Sequence, residues 1–196
     1  MAAAAAALVA AAALFCGCGR RAPAKAPPAS SVSSNGIVLR AGPVATEGVA
    51  GAGPERCFNA KDDNQNGLID EGCGVRTGIV QFTIAWDAPT ADVDLLVTDP
   101  KGELVEVGRP TSLGLAKERD CPGKRAECRG QNFENVYLER DEAKRGRYRV
   151  KIRLERLMDE DVPIRVTLGV RLGPKTYSGE VLLNRPEAEQ EITFDL

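Results

Sequence analysis

The chain contains no histidine, and that absence closes off more chemistry than any other feature of its composition. Without an imidazole there is no Ser-His-Asp triad, no general base poised near neutrality, and no ordinary catalytic zinc site. Aromatic residues make up only 5% of the chain, which tells against the exposed ring platforms that glycan binding ordinarily uses. The net charge is -2 and the pI about 5.4, so nothing in the charge balance calls for a nucleic acid partner. The longest apolar run, residues 2–15, falls short of the roughly 20 residues needed to cross a bilayer.

What is present begins with six cysteines. Cys16 and Cys18 end the apolar run, and the others form two close pairs, Cys57/Cys73 and Cys121/Cys128. Such pairs in an exported chain read as two local disulfides. A four-cysteine zinc site is the rival reading, disfavoured because neither pair has the short spacing such sites prefer.

Residues 1–17 have the length and apolar core of a signal peptide. The stretch Leu14-Phe-Cys-Gly-Cys18 resembles the lipobox of bacterial lipoproteins. The resemblance implies that Cys18 carries the lipid and becomes the mature N-terminus, and Gly19 in the following position implies outer-membrane sorting. Simple secretion after cleavage is the alternative. Residues 18–54 are rich in Ala, Pro, Ser and Gly and cannot bury enough apolar surface to offset their ordering entropy. They read as a flexible tether, with Ile37-Val38-Leu39 as an apolar island able to add an edge strand.

Residues 55–74 are the densest motif. Asp62, Asn64 and Asn66 alternate, Gly67 follows at once, and Asp70 and Glu71 come next. This is the order of a calcium loop, with oxygens at positions 1, 3 and 5, glycine at 6 and a carbonyl, here of Leu68, at 7. Position 12 holds Cys73 where an EF-hand needs a bidentate glutamate, so the loop is no complete EF-hand. The expected ligands are Asp62, Asn64, Asn66, Leu68, Asp70 and Glu71. A metal-free Asx-rich turn is the competing reading. The residues Cys57, Asn59, Asp62, Asp63, Asn64, Asn66, Gly67, Ile69, Asp70, Glu71 and Cys73 resemble thrombospondin type 3 repeats. They are more similar still to a short disulfide-bracketed acidic motif of bacterial secreted proteins. The resemblance implies calcium or another hard cation.

From residue 77 onward, period-two alternation dominates. Val80, Phe82, Ile84 and Trp86 share one face, as do Val93, Leu95 and Val97, with a turn at 99–102 and a return strand expected over 103–107. Residues 108–132 lack periodicity and read as a long disulfide-closed loop. Tyr148, Val150, Ile152 and Leu154 face inward, followed by alternating runs over 164–172, 176–183 and 192–196. About seven strands with regular turns predict an all-β fold, an antiparallel immunoglobulin-like or jelly-roll-like β-sandwich over 77–196. Trp86, the stretch Asp92 to Glu103, Asn132 to Val136 and Gly146 to Val150 resemble bacterial secreted β-sandwich domains of the kind appended to secreted peptidases. That resemblance implies an accessory or binding role and no catalytic residues.

Asp92, Asp94, Asp120, Glu134 and Asn135 could converge at one end of the sandwich as a second cation site. The plainer alternative is that they stabilise turns and strand ends. The expectation is therefore an exported, lipid-anchored, non-catalytic module of the cell envelope. Calcium would stiffen it, the membrane would hold it through the lipid, and a protein or polysaccharide would be its partner. A carbohydrate-binding or adhesion module using the 108–132 loop is the second reading, and a carboxylate-based hydrolase the third.

Overall fold

A computed structural model describes residues 31–34, 37–42, 53–121, 128, 130–139 and 142–196. The signal peptide and Cys18 lie outside the described residues. Ten strands and no α-helix are found among them: β1 (Ser31–Ser34), β2 (Ile37–Ala41), β3 (Val80–Trp86), β4 (Asp92–Thr98), β5 (Ala116–Arg119), β6 (Phe133–Leu138), β7 (Arg147–Arg156), β8 (Ile164–Leu172), β9 (Lys175–Leu183) and β10 (Glu189–Asp195). A seven-stranded sheet has the order β1-β2-β9-β8-β3-β6-β5, and a three-stranded sheet has the order β10-β7-β4. All strand pairings are antiparallel.

The core is the apolar alternation of the two sheets turned toward each other. Val80, Phe82 and Ile84 meet Val93, Leu95 and Val97, together with Val150, Ile152 and Leu154, and all nine are fully buried. Each such side chain contributes about 1.5–3 kcal/mol by leaving water. Phe82 lies 5.9 Å from Tyr148 and 5.7 Å from Phe194 in tilted ring contacts. Trp86 packs in the same core, and its indole N–H donates to the Ala91 carbonyl at 2.9 Å. That bond satisfies the one polar atom the ring brings inside. The outer face of the small sheet is charged, with Arg147–Asp195, Lys151–Glu189, Arg153–Asp94 and Arg156–Asp92 pairs across neighbouring strands. The basic residues of β7 are thus flanked by acids.

Three expectations change. The span 18–54 read as a tether contains β1 and β2, and β2 seats Ile37 and Leu39 in the core while pairing with β9. Residues 103–107 form only isolated bridges, such as Thr98 with Leu104, and no return strand. The aperiodic loop 108–132 contains β5, which pairs with β6 through an irregular register between Lys117 and Arg119.

One feature of the large sheet sets up the site. All seven residues of β3 are buried, although its outward positions are Gln81, Thr83 and Ala85. They are covered because residues 57–75 dock on the outer face of the sheet. Ala60, Val75, Ala85 and Phe133 form a second small apolar cluster there, with Phe58 and Cys73 against it.

Candidate functional site

The docked segment is the acidic motif, closed by the Cys57–Cys73 disulfide with 5.3 Å between its Cα atoms. Phe58 meets Phe133 edge-on at 5.5 Å, and the Arg119 guanidinium lies 5.5 Å and 5.8 Å from the two ring centres. Polar groups lock the seat. Gln81 Nε2 donates to the Ile69 carbonyl at 3.2 Å, and Asn135 Nδ2 donates to the Arg76 carbonyl at 2.7 Å. Asn135 Oδ1 in turn accepts from Thr83 Oγ1 at 2.8 Å. Gly169 on β8 leaves the room this needs, since a Cβ there would stand 2.4 Å from the Ala60 carbonyl oxygen.

Within the loop the backbone is wound tightly. Phe58, Ala60, Gln65 and Asp70 all have positive φ without being glycine, which costs on the order of 1–3 kcal/mol per residue where nothing offsets it. Carboxylates offset it by accepting backbone amides. Asp70 is completely buried and accepts from Asn59 N at 3.2 Å and Ala60 N at 2.9 Å. Asp62 accepts from Asn66 N at 3.1 Å and Gly67 N at 2.8 Å, the turn that a glycine after position 5 makes possible.

The sequence-predicted ligands therefore divide. Asp62, Asn64, Asn66 and Glu71 come together, with Glu71 Oε1 accepting from Asn64 Nδ2 at 2.5 Å and Asn66 Nδ2 at 2.6 Å. Leu68 stays on the same loop, its amide donating to Asn66 Oδ1 at 2.8 Å. Asp70 is turned away, because its oxygens hold the strained turn at 58–60. Glu55 is a member the motif did not announce. Its Oε1 accepts from Asn64 N at 2.9 Å, while its Oε2 and Glu71 Oε2 are buried with no hydrogen-bond partner.

The electrostatics agree with crowded oxygens. Burial first, then the charges of Glu71 and Asp62, pushes the Glu55 carboxyl above its ordinary range despite its backbone amide bonds. Burial, and more weakly Glu71, pushes Asp62 upward in the same way. Asp70 is pushed up to about 6 by burial, against the amides that stabilise its charge. A cleft of about 270 Å³ opens between this loop and β9, lined among others by Lys61, Asp62, Gln65, Thr176 and Ser178. It gives solvent a route to Asp62.

The second predicted set is only partly brought together. One carboxylate oxygen each of Asp94, Asp120 and Glu134 lie within 4.8 Å of one another, a spacing that could hold a metal ion. Asp92 is drawn off to Arg156 at 2.6 Å, and Asn135 belongs to the network beneath the docked loop. Glu134 has no exposed surface, and its Oε2 accepts from the Leu95 amide on the open edge of β4 at 2.6 Å, bridging the two sheets. Lys117 was not foreseen. Its Nζ lies 2.8 Å from Asp120 Oδ1 and 2.9 Å from Glu134 Oε2, with only 6% of its side chain exposed. Burial pushes Glu134 well above the carboxylate range, and the adjacent Lys117 charge only partly opposes this. For Lys117, burial acts downward, but Glu134 and Asp120 outweigh it and the net shift is upward. The Cys121–Cys128 disulfide closes the neighbouring loop with 5.6 Å between Cα atoms.

Comparison of the chain with protein-family models, with curated proteins and with solved structures returns no match.

Proposed function

We propose that this protein is a non-catalytic module of the cell envelope, lipid-anchored at Cys18, whose acidic loop is a cation-stiffened clasp on a β-sandwich. The observation that carries the clasp reading is the pair of buried, unpartnered oxygens, Glu55 Oε2 and Glu71 Oε2, in a loop lined by Asp62, Asn64 and Asn66. Buried carboxylate oxygens without partners are costly, and a bound cation removes that cost. An all-oxygen donor set suits a hard cation, and calcium accepts the roughly six to eight oxygens and loose geometry such a loop offers. Asp62, Asn64, Asn66, Glu71 and Glu55 would hold it, with Glu55 in place of the glutamate missing at position 12. An affinity of roughly 10⁻⁴ to 10⁻³ M, that of extracellular modules, is expected.

The absence of histidine and the low aromatic content support a binding or structural role over a hydrolase or a carbohydrate reader. The lipobox-like segment and the paired cysteines support export, the membrane anchor and outer-membrane placement. The deciding experiment is thermal unfolding of the full chain in calcium and in chelator. A higher Tm in calcium that is lost in Asp62→Ala supports the clasp, and equal values remove it. Intact mass of the membrane-extracted protein tests the lipid at Cys18. Crosslinking in whole cells followed by capture of the chain identifies the envelope protein or polysaccharide it meets.

A further inference from the structure

We propose that Lys117 and Asp120 are joined in the folded protein by an intramolecular isopeptide bond, with Glu134 relaying the protons. β5 turns Lys117 toward the core, opposite Val136, and the irregular register that follows brings Asp120 back to the same side. The result is a buried amine nitrogen 2.8 Å from an oxygen of half-exposed Asp120 and 2.9 Å from an oxygen of fully buried Glu134. The residue after Asp120 is also fixed, since Cys121 is tied to Cys128 by a disulfide. Reactive groups fixed at about 3–3.5 Å gain effective molarities on the order of 10⁵–10⁸ M.

The third group supplies what the reaction lacks. Glu134 has no exposed surface, and its Oε1 is buried without a hydrogen-bond partner. Its other oxygen touches Lys117 Nζ at 2.9 Å, and one of its oxygens lies within 4.8 Å of an Asp120 carboxylate oxygen, so the carboxyl can reach both reacting groups. The chemistry is a condensation and balances without a redox partner. A proton passes from the Lys117 ammonium to the Asp120 carboxylate. The free amine adds to Asp120 Cγ, and Glu134 protonates the oxygen on which charge develops. The Nζ–Cγ bond forms as a Cγ–O bond breaks, and the oxygen leaves as water with the two hydrogens lost from the ammonium. Glu134 recovers its proton. Two opposite charges are replaced by one neutral amide, which removes the desolvation cost borne by the buried Lys117 ammonium.

The test is a tryptic peptide map of the full-length protein after disulfide reduction, with intact masses of the wild type and of Glu134→Gln. The expected wild type is lighter by one water than its composition requires, resists cleavage after Lys117, and yields a branched peptide linking Lys117 to Asp120. Glu134→Gln should keep that water and release Lys117 normally, as should Asp120→Ala, whose side chain is half-exposed and whose loss the fold tolerates. A wild-type map with free Lys117 and Asp120 means an ion pair only and overturns the proposal. A crosslink that survives in Glu134→Gln overturns the role of Glu134. The wild-type map needs no variant to fold.

Discussion

Two acidic clusters sit beside two disulfides, and they resolve the same problem in opposite ways. The cluster at Asp94, Asp120 and Glu134 is answered from within the fold, by the Nζ of Lys117 on the strand beside Glu134. The clasp cluster at Glu55, Asp62 and Glu71 gathers amides and carboxylates and leaves two carboxylate oxygens without partners. The contrast teaches that proximity of carboxylates does not define a metal site. What distinguishes the clasp is that its oxygens are gathered by backbone turns before any positive group answers them.

Breaking each cluster should therefore have opposite consequences. The largest effect is expected for Glu134→Ala, which strips the Lys117 cation of its most buried partner and frees the Leu95 amide. Where that cation persists, denaturant unfolding should show a loss of about 3–5 kcal/mol. Replacing Cys57 and Cys73 by serine should cost about 3 kcal/mol for a closed loop of this size. The loss should appear in the same measurement, together with the calcium response. Calcium at a hundred times its dissociation constant should add about 2.7 kcal/mol to the wild type and nothing to Asp62→Ala.

Glu71→Gln sharpens the contrast with Glu134→Ala. It removes like-charge repulsion, so in chelator its Tm should equal or exceed that of the wild type, while its calcium response is lost. The smallest effect concerns pH. Asp70 titrates at about 6 in the folded chain, above the roughly 3.9 of an unfolded aspartate. The folded state then binds the proton more tightly, and the associated stability is present below the unfolded value and lost as pH rises through about 6. Glu55 and Asp62 shift the same way. Tm in chelator should fall modestly from about pH 5 to about pH 7, and calcium should restore it at the upper end.

The parts of the fold legible in the sequence were those written in long alternations. The inward residues of β3, β4, β7, β8 and β10 were read correctly because each run repeats its apolar step three times or more. Both disulfides followed from spacing. β5 escaped because its four residues, Ala-Lys-Glu-Arg, carry no apolar pattern, and its inward position is filled by a lysine whose charge is answered from β6. β1 escaped for shortness, lying in a stretch whose composition is that of a linker, while β2 showed itself only as the apolar island Ile37-Val38-Leu39. In the clasp, Asp62, Asn64 and Asn66 were legible from their spacing relative to Gly67. Glu55 was not, since it stands ahead of Cys57 and outside the spacing of oxygens around Gly67, and meets them through the Asn64 amide. The bonds of Asp70 to the Asn59 and Ala60 amides were not legible, because residue spacing does not say which carboxylate a strained turn will claim.

Gly169 links the two halves of this architecture in time as well as space. The clasp emerges from synthesis before every strand on which it rests, and its disulfide spans 16 positions, so it can close at once. Its seat, where Ala60 meets bare backbone on β8, exists only after nearly a hundred further residues have been made. A loop whose disulfide closes early therefore has nothing to dock on until the sheet is assembled. A side chain at Gly169 should leave the Cys57–Cys73 disulfide free to close while denying the loop its seat against β8.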